Sequence, residues 1–160
     1  MRKPAKLIAI YLIASHAGIS PATTCYDDKN LQAAQSAAQP TLLYVWSPRM
    51  PLSALHAAAA RAQAHALGLA WQPVADHRVP AHERDQALLR LRATQPAAAS
   101  ALQRSRALCS TELEQRDAYR HFPSAFVLGQ RVDARPIVGA MPSAFWRQSI
   151  AQRLTPQVLP

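Results

Sequence analysis

Apolar residues run without a break through "TLLYVW", residues 41 to 46, between Pro40 and Pro48. A run of that length, with β-branched and aromatic members and a proline at either end, predicts a central strand buried on both faces. The pattern then turns helical from about Ser53 to Leu67. Leu55, Ala59, Ala62, Ala66 and Leu67 are available for one buried face, and Gly68 supplies a C-terminal stop. "LAWQPVAD", residues 69 to 76, predicts a second strand, where Pro73 suits an edge or a bulge better than a fully paired position.

From Pro80 to His121 the pattern is helical. "AHERDQALLRLRA" carries Ala87, Leu88 and Leu91 at helical spacing, Pro96 interrupts it, and an alanine-rich segment follows. Ser110 with Glu112, or Thr111 with Glu114, can cap a last helix ending near Tyr119. "PSAFVLG" predicts a third strand, Gly129 a turn and "VDARPIVGA" a hairpin partner. "PSAFWRQSIAQRL" predicts a closing helix in which Phe145, Ile150 and Leu154 can face the sheet. Residues 29 to 39 read as an alanine-rich linker or weak helix ended by Pro40. The expected fold is therefore α/β: a central mixed sheet of about four strands flanked by helices, with a helical insertion around 80–119.

Composition sharpens this picture. The 160 residues are 49% hydrophobic but only 6% aromatic, enough for one domain with its own core, although much of the apolar content is alanine. Thirteen prolines against four glycines favour many short, interrupted elements over a long bundle. The formal charge is +9, and its arginines are scattered singly with no basic stretch interleaved with aromatics. That favours a solvated, positively charged surface over a nucleic-acid interface.

The chain opens with an export pattern. "MRKPAK" is a basic region, "LIAIYLIASHAGI" is an apolar stretch too short for a bilayer-spanning helix, and Ser20 and Ala22 are small residues where a signal peptidase reads. Cleavage is expected after Ala22, with Ala17 as the alternative. Residues 1–22 would then be a signal peptide, 23–40 an N-terminal linker, 41–154 the folded domain and 155–160 a tail. The expected product is a periplasmic protein without stable membrane insertion. Removing Arg2, Lys3 and Lys6 lowers the formal charge to 9 − 3 = +6.

Cys25 and Cys109 are too far apart in sequence for a Cys-x-x-Cys redox pair. In an exported chain they suggest a disulfide joining the mature N-terminus to the middle of the domain, the alternative being two thiols with separate fates. Other constellations are weaker. His77, His82 and Glu83 match no standard metal spacing, His56 and His65 lie too far apart on one helix to share an ion, and no serine sits in a nucleophile-elbow pattern. No cofactor is implied.

The element order is that of the thioredoxin-like fold. "RHFPSAFVLGQRVDARPIVGAMPSAFWRQSIAQRL" resembles the end of a thioredoxin domain, with an aromatic-proline pair before a strand, a glycine turn, a hairpin and a final helix. The resemblance implies that the Phe122–Pro123 bond is cis and lies against the turn Ser47–Met50. A narrower resemblance, over about residues 40 to 154, is to the exported thioredoxin-like pilin-assembly proteins of F-type conjugation systems and integrating conjugative elements. It is carried by "YVWSPRMPLSAL" and "STELEQRDAYRHFPSAFVL". Residues 80 to 108 and the two cysteines depart from that pattern.

In redox-active thioredoxin-like proteins the turn after the first central strand carries two cysteines; here it carries Ser47, Pro48, Arg49 and Met50. Exchange chemistry needs a thiolate there, and an unactivated serine hydroxyl is not ionised. The remaining expectation is a non-enzymatic module that helps assemble a conjugation or secretion apparatus by binding another of its protein components. Trp46, Ser47, Pro48, Arg49, Met50, Phe122 and Pro123 would form the contact region, with Arg49 selecting an acidic partner. For Trp46, core packing at the strand's end is an equally open reading. The alternative function is a periplasmic thiol–disulfide redox protein using Cys25 and Cys109.

Overall fold

The computed structural model describes residues 25–154. The expected signal peptide, its cleavage site and the tail from residue 155 lie outside the described residues. The chain forms a six-stranded mixed sheet with helices on both faces, an α/β architecture compatible with the thioredoxin-like plan.

The strands are β1 (Cys25–Tyr26), β2 (Thr41–Trp46), β3 (Ala70–Asp76), β4 (Arg106–Leu108), β5 (Ser124–Leu128) and β6 (Ile137–Val138). The helices are α1 (Asp28–Ser36), α2 (Pro51–Leu55), α3 (Ala57–Ala66), α4 (Ala81–Thr94), α5 (Pro96–Leu102), α6 (Thr111–Gln115) and α7 (Ser143–Leu154). The spatial order is β1-β4-β3-β2-β5-β6. β1, β4, β3 and β2 pair in parallel, while β5 runs antiparallel to β2 and β6 antiparallel to β5.

β2 shows why its sequence is continuously apolar. Leu42, Tyr44 and Trp46 point into one core with Ala57, Ala60 and Ala64 of α3 and Trp146 and Ile150 of α7. Leu43 and Val45 point into the other, with Leu31 of α1, Leu113 of α6 and Phe126 of β5. Side chains alternate across a strand, so one covered on both faces has no polar position to spare.

Several expectations need correction. The sheet has six strands instead of four, because β1 and β4 extend it beyond β3. The segment 23–40, expected as linker, contains the edge strand β1 and the helix α1, the helix agreeing with the second of the two readings, linker or weak helix, of residues 29 to 39. Asp27 caps that helix by accepting from the Asn30 amide, and the Asn30 side chain returns a bond to the Asp27 amide. The helical insertion is likewise broken by β4, a three-residue strand with no apolar run of its own. Only pairing to Val74–Asp76 on one side and Cys25–Tyr26 on the other makes it a strand.

The helix expected over 53–67 divides into α2 and α3 near His56. Its buried face is Ala57, Ala60 and Ala64, while Leu55, Ala62 and Ala66 are exposed. In an alanine-rich helix the side chains barely distinguish one face from another; close approach to the sheet and to α7 decides. In α7 Ile150 faces the core as expected, together with Trp146, whereas Phe145, expected on the same side, is exposed. Two finer readings hold. Gly68 adopts φ +78° just after α3, and Ser110 caps α6 by accepting from the Leu113 amide.

Candidate functional site

The carboxyl ends of β2 and β3 and the amino end of β5 lie at one end of the sheet, which is where open α/β sheets place their loops for binding. Val45 pairs with Ser124, so the Ser47–Met50 turn continues β2 beside the Phe122–Pro123 peptide, which is cis as expected. Gly139, just beyond β6, donates its amide to the Pro123 carbonyl and ties the last hairpin to this loop (2.9 Å).

Ser53 holds the turn from within. It is fully buried; its hydroxyl accepts from the Ser47 amide at 3.1 Å and lies 2.6 Å from the Met50 carbonyl and 3.1 Å from the Ser47 carbonyl. Met50 donates its own amide to the Ser47 carbonyl, closing the turn (2.9 Å). Pro51 then starts α2, where its fixed φ suits the first helical turn and its missing N–H costs nothing. Beneath, the Tyr44 hydroxyl donates to the Ser53 carbonyl at 2.6 Å, and burial pushes its pKa well above the ordinary phenol value.

The turn's residues divide by exposure. Trp46 is fully buried and donates its indole N–H to Ser105 Oγ at 2.9 Å, so it is a core residue. Ser47 is buried as well, with its hydroxyl 3.5 Å from Asp76. Pro123 is buried, and Phe122 is half-buried against the second core. Pro48 is partly exposed, Arg49 exposed, and Met50 46% exposed. Arg49 is already paired: its guanidinium meets Glu83 of α4 through two bonds of 2.9 and 2.8 Å. Each raises or lowers the other's pKa in the sense that keeps both charged. The expected role of Arg49 as selector of an acidic partner is thus filled inside the chain, where it fastens the turn to α4.

Sequence reasoning missed two groups. Leu52 and Leu55 on α2 are 61% and 41% exposed and extend the Met50 surface. A cleft of about 210 Å³ lies beside them, lined by Pro48, Pro51, Leu55, Leu91 and Thr94, with Trp46 at its inner wall. The second group is Asp76, Arg78 and Tyr119. Asp76 is buried and accepts from the Arg78 backbone and guanidinium, and the guanidinium lies 4.6 Å from the Tyr119 ring centre and 6.0 Å from that of Phe122. The Tyr119 hydroxyl donates to the Leu108 carbonyl, and His77 Nδ1 lies 2.7 Å from the same hydroxyl. Burial holds the Tyr119 phenol above its usual range. A carboxylate ending an apolar strand was the visible signal, since a charge there needs a partner.

Cys25 and Cys109 form a disulfide, with Cα atoms 5.7 Å apart. It joins the edge strand β1 to the end of β4, where Cys109 also donates its amide to the Tyr26 carbonyl. Of the residues weighed as metal ligands, His77 engages Tyr119 and Glu83 engages Arg49; no group of three or more His, Cys, Asp or Glu side chains gathers at one point among the described residues. None of the described helices is long and apolar enough to cross a membrane.

No protein-family model, curated protein or solved structure matches this chain.

Proposed function

We propose that the chain is a non-catalytic thioredoxin-like protein of a conjugative transfer or type IV secretion system, assisting pilus or pore assembly in the periplasm by binding another protein. The reading is supported chiefly by the turn itself. Its scaffold of Ser53, Tyr44 and the Phe122–Pro123 loop is fully built, yet it carries Ser47 and an exposed Met50 where exchange chemistry would need thiols, with Leu52 exposed beside them. Exposed apolar side chains on a pre-organised support are what a protein contact requires, because little conformational entropy is lost on binding. The resemblance of "YVWSPRMPLSAL" to the conjugation proteins supplies the biological setting.

Placing a photo-crosslinking residue at position 50 in the producing cell tests this. Adducts with an envelope component of the transfer apparatus are the expected result. Intact transfer after deletion of the gene, with no such adduct, would reject the reading. The redox alternative draws on the exposure of Cys109. Reduction of a test disulfide faster than by free cysteine, abolished by Cys109→Ser, would establish that alternative in its place.

A further inference from the structure

A cavity of about 420 Å³ lies away from the turn, over the first half of β3 and between α3 and α5. It exists because β4 is short: pairing on that side begins at Val74, leaving Ala70–Pro73 without a strand neighbour. Arg61 of α3, Arg104 of the loop after α5 and Arg106 of β4 line it, together with His65, Trp71 and Ser100. Among the described residues, no carboxylate does.

What sets this concavity apart is that three unpaired arginines meet at it. Seven arginines among the described residues, at positions 49, 78, 84, 116, 120, 135 and 153, are paired with carboxylates. The three cavity arginines, like Arg90, Arg92, Arg131 and Arg147 elsewhere, are in no ion pair among the described residues. Two of the three are nevertheless held in place by neutral groups. Arg61 donates to Ser100 Oγ at 3.4 Å; Arg106 donates to Asn30 Oδ1 at 3.3 Å and lies 5.1 Å from the centre of the Tyr26 ring. Trp71 is fixed by a 2.9 Å bond from its indole N–H to the Ala101 carbonyl. Like charges gathered at one concavity and positioned without neutralisation raise the local positive potential, and the fork of each guanidinium retains donors for a ligand.

We propose that this cavity binds a small organic phosphate. The guanidinium-bearing residues Arg61 of α3 and Arg104 of the loop after α5, with Arg106 at the sheet edge held by Asn30, suit a tetrahedral group with oxygens in several directions better than a planar carboxylate. Trp71 and Pro73 supply an apolar wall for the organic part, and the volume falls within the roughly 300 to 1,000 Å³ of small-molecule sites. The site is independent of the docking turn, so either can fail without the other.

Calorimetric titration of the oxidised protein with inorganic pyrophosphate tests the proposal. Saturable one-to-one binding is expected, weakened on the order of fivefold or more by Arg104→Ala and by Arg61→Ala, since each removes charge-assisted bonds. Arg131→Ala with Arg147→Ala, which removes two arginines that do not line the cavity, should change the affinity by less than about twofold. The proposal is overturned if pyrophosphate gives no saturable binding, if the control pair weakens binding as much as the cavity variants do, or if citrate binds more tightly than pyrophosphate. Circular dichroism of each variant separates lost binding from lost folding. If either cavity variant unfolds, its lysine replacement, Arg104→Lys or Arg61→Lys, is the one titrated: it keeps the charge but loses the fork, and unchanged affinity in it also overturns the proposal.

Discussion

Replacing Ser53 by alanine removes one hydroxyl from the interior and is expected to loosen the whole docking turn. The hydroxyl accepts from the Ser47 amide and donates to a carbonyl of the same turn, and no solvent reaches it. Alanine leaves the Ser47 N–H buried without a partner. Such an orphan costs about 1 to 3 kcal/mol, and the lost donated bond adds on the order of 1 kcal/mol net. The expected destabilisation is therefore about 2 to 4 kcal/mol, far above the roughly 0.5 kcal/mol of an ordinary surface change. Ser36→Ala is the control, because its hydroxyl makes an exposed bond to the Gln32 carbonyl. For 130 residues an unfolding entropy near 2.1 cal/mol/K per residue converts 2 to 4 kcal/mol into a Tm lower by roughly 7 to 15 °C. Urea unfolding followed by circular dichroism reads the free energy and thermal melting reads the Tm. A Ser53→Ala protein as stable as Ser36→Ala would refute the claim that this hydroxyl holds the turn.

Further outcomes follow from other parts of the structure. Cys25→Ser with Cys109→Ser opens a loop of 84 residues, which in the chain-entropy account removes up to about 4.5 kcal/mol; equal denaturation midpoints for this variant and the oxidised parent would contradict it. Asp28 accepts from Ser110, Thr111 and the Glu112 amide, which hold its carboxyl below the ordinary range, so its contribution is present above that range and lost as pH falls through its lowered folded-state value. The stability gap between the parent and Asp28→Asn should accordingly narrow on acidification from pH 7, and denaturation midpoints measured along that series would show it; a gap that widens is the contrary result. Met50→Ala with Leu52→Ala should leave the Tm nearly unchanged while weakening partner capture by on the order of 1 to 3 kcal/mol, whereas Arg49→Ala should loosen the turn's attachment to α4, visible as faster amide exchange at Met50 and Glu83.

The strongest signals in the sequence were those decided by neighbours along the chain. β2 is legible because five consecutive apolar residues between prolines leave no other element. The Gly68 stop, the Ser110 cap and Pro73 are equally local. Pro73 sits where β3 has β2 on one side and no partner on the other, pairing with β4 starting only at Val74, so its missing N–H costs no ladder bond there. Tertiary structure decided what local pattern could not encode. β1 and β4 are strands because each finds the other, held by the Cys25–Cys109 bond, and neither carries a hydrophobic period of its own. The buried face of α3 was undetermined because alanine offers every face the same side chain, so packing against β2 and α7 chose it. At the site, residue type suggested that Trp46 and Arg49 could meet a partner. Their true roles depend on groups far away in sequence: Ser105, 59 positions on, satisfies the Trp46 indole, and Glu83, 34 positions on, takes up the Arg49 charge. Hydrophobic period and backbone preference act over a few residues and can be read from the chain, whereas the pairing of a polar or charged group depends on which distant segment the fold brings beside it.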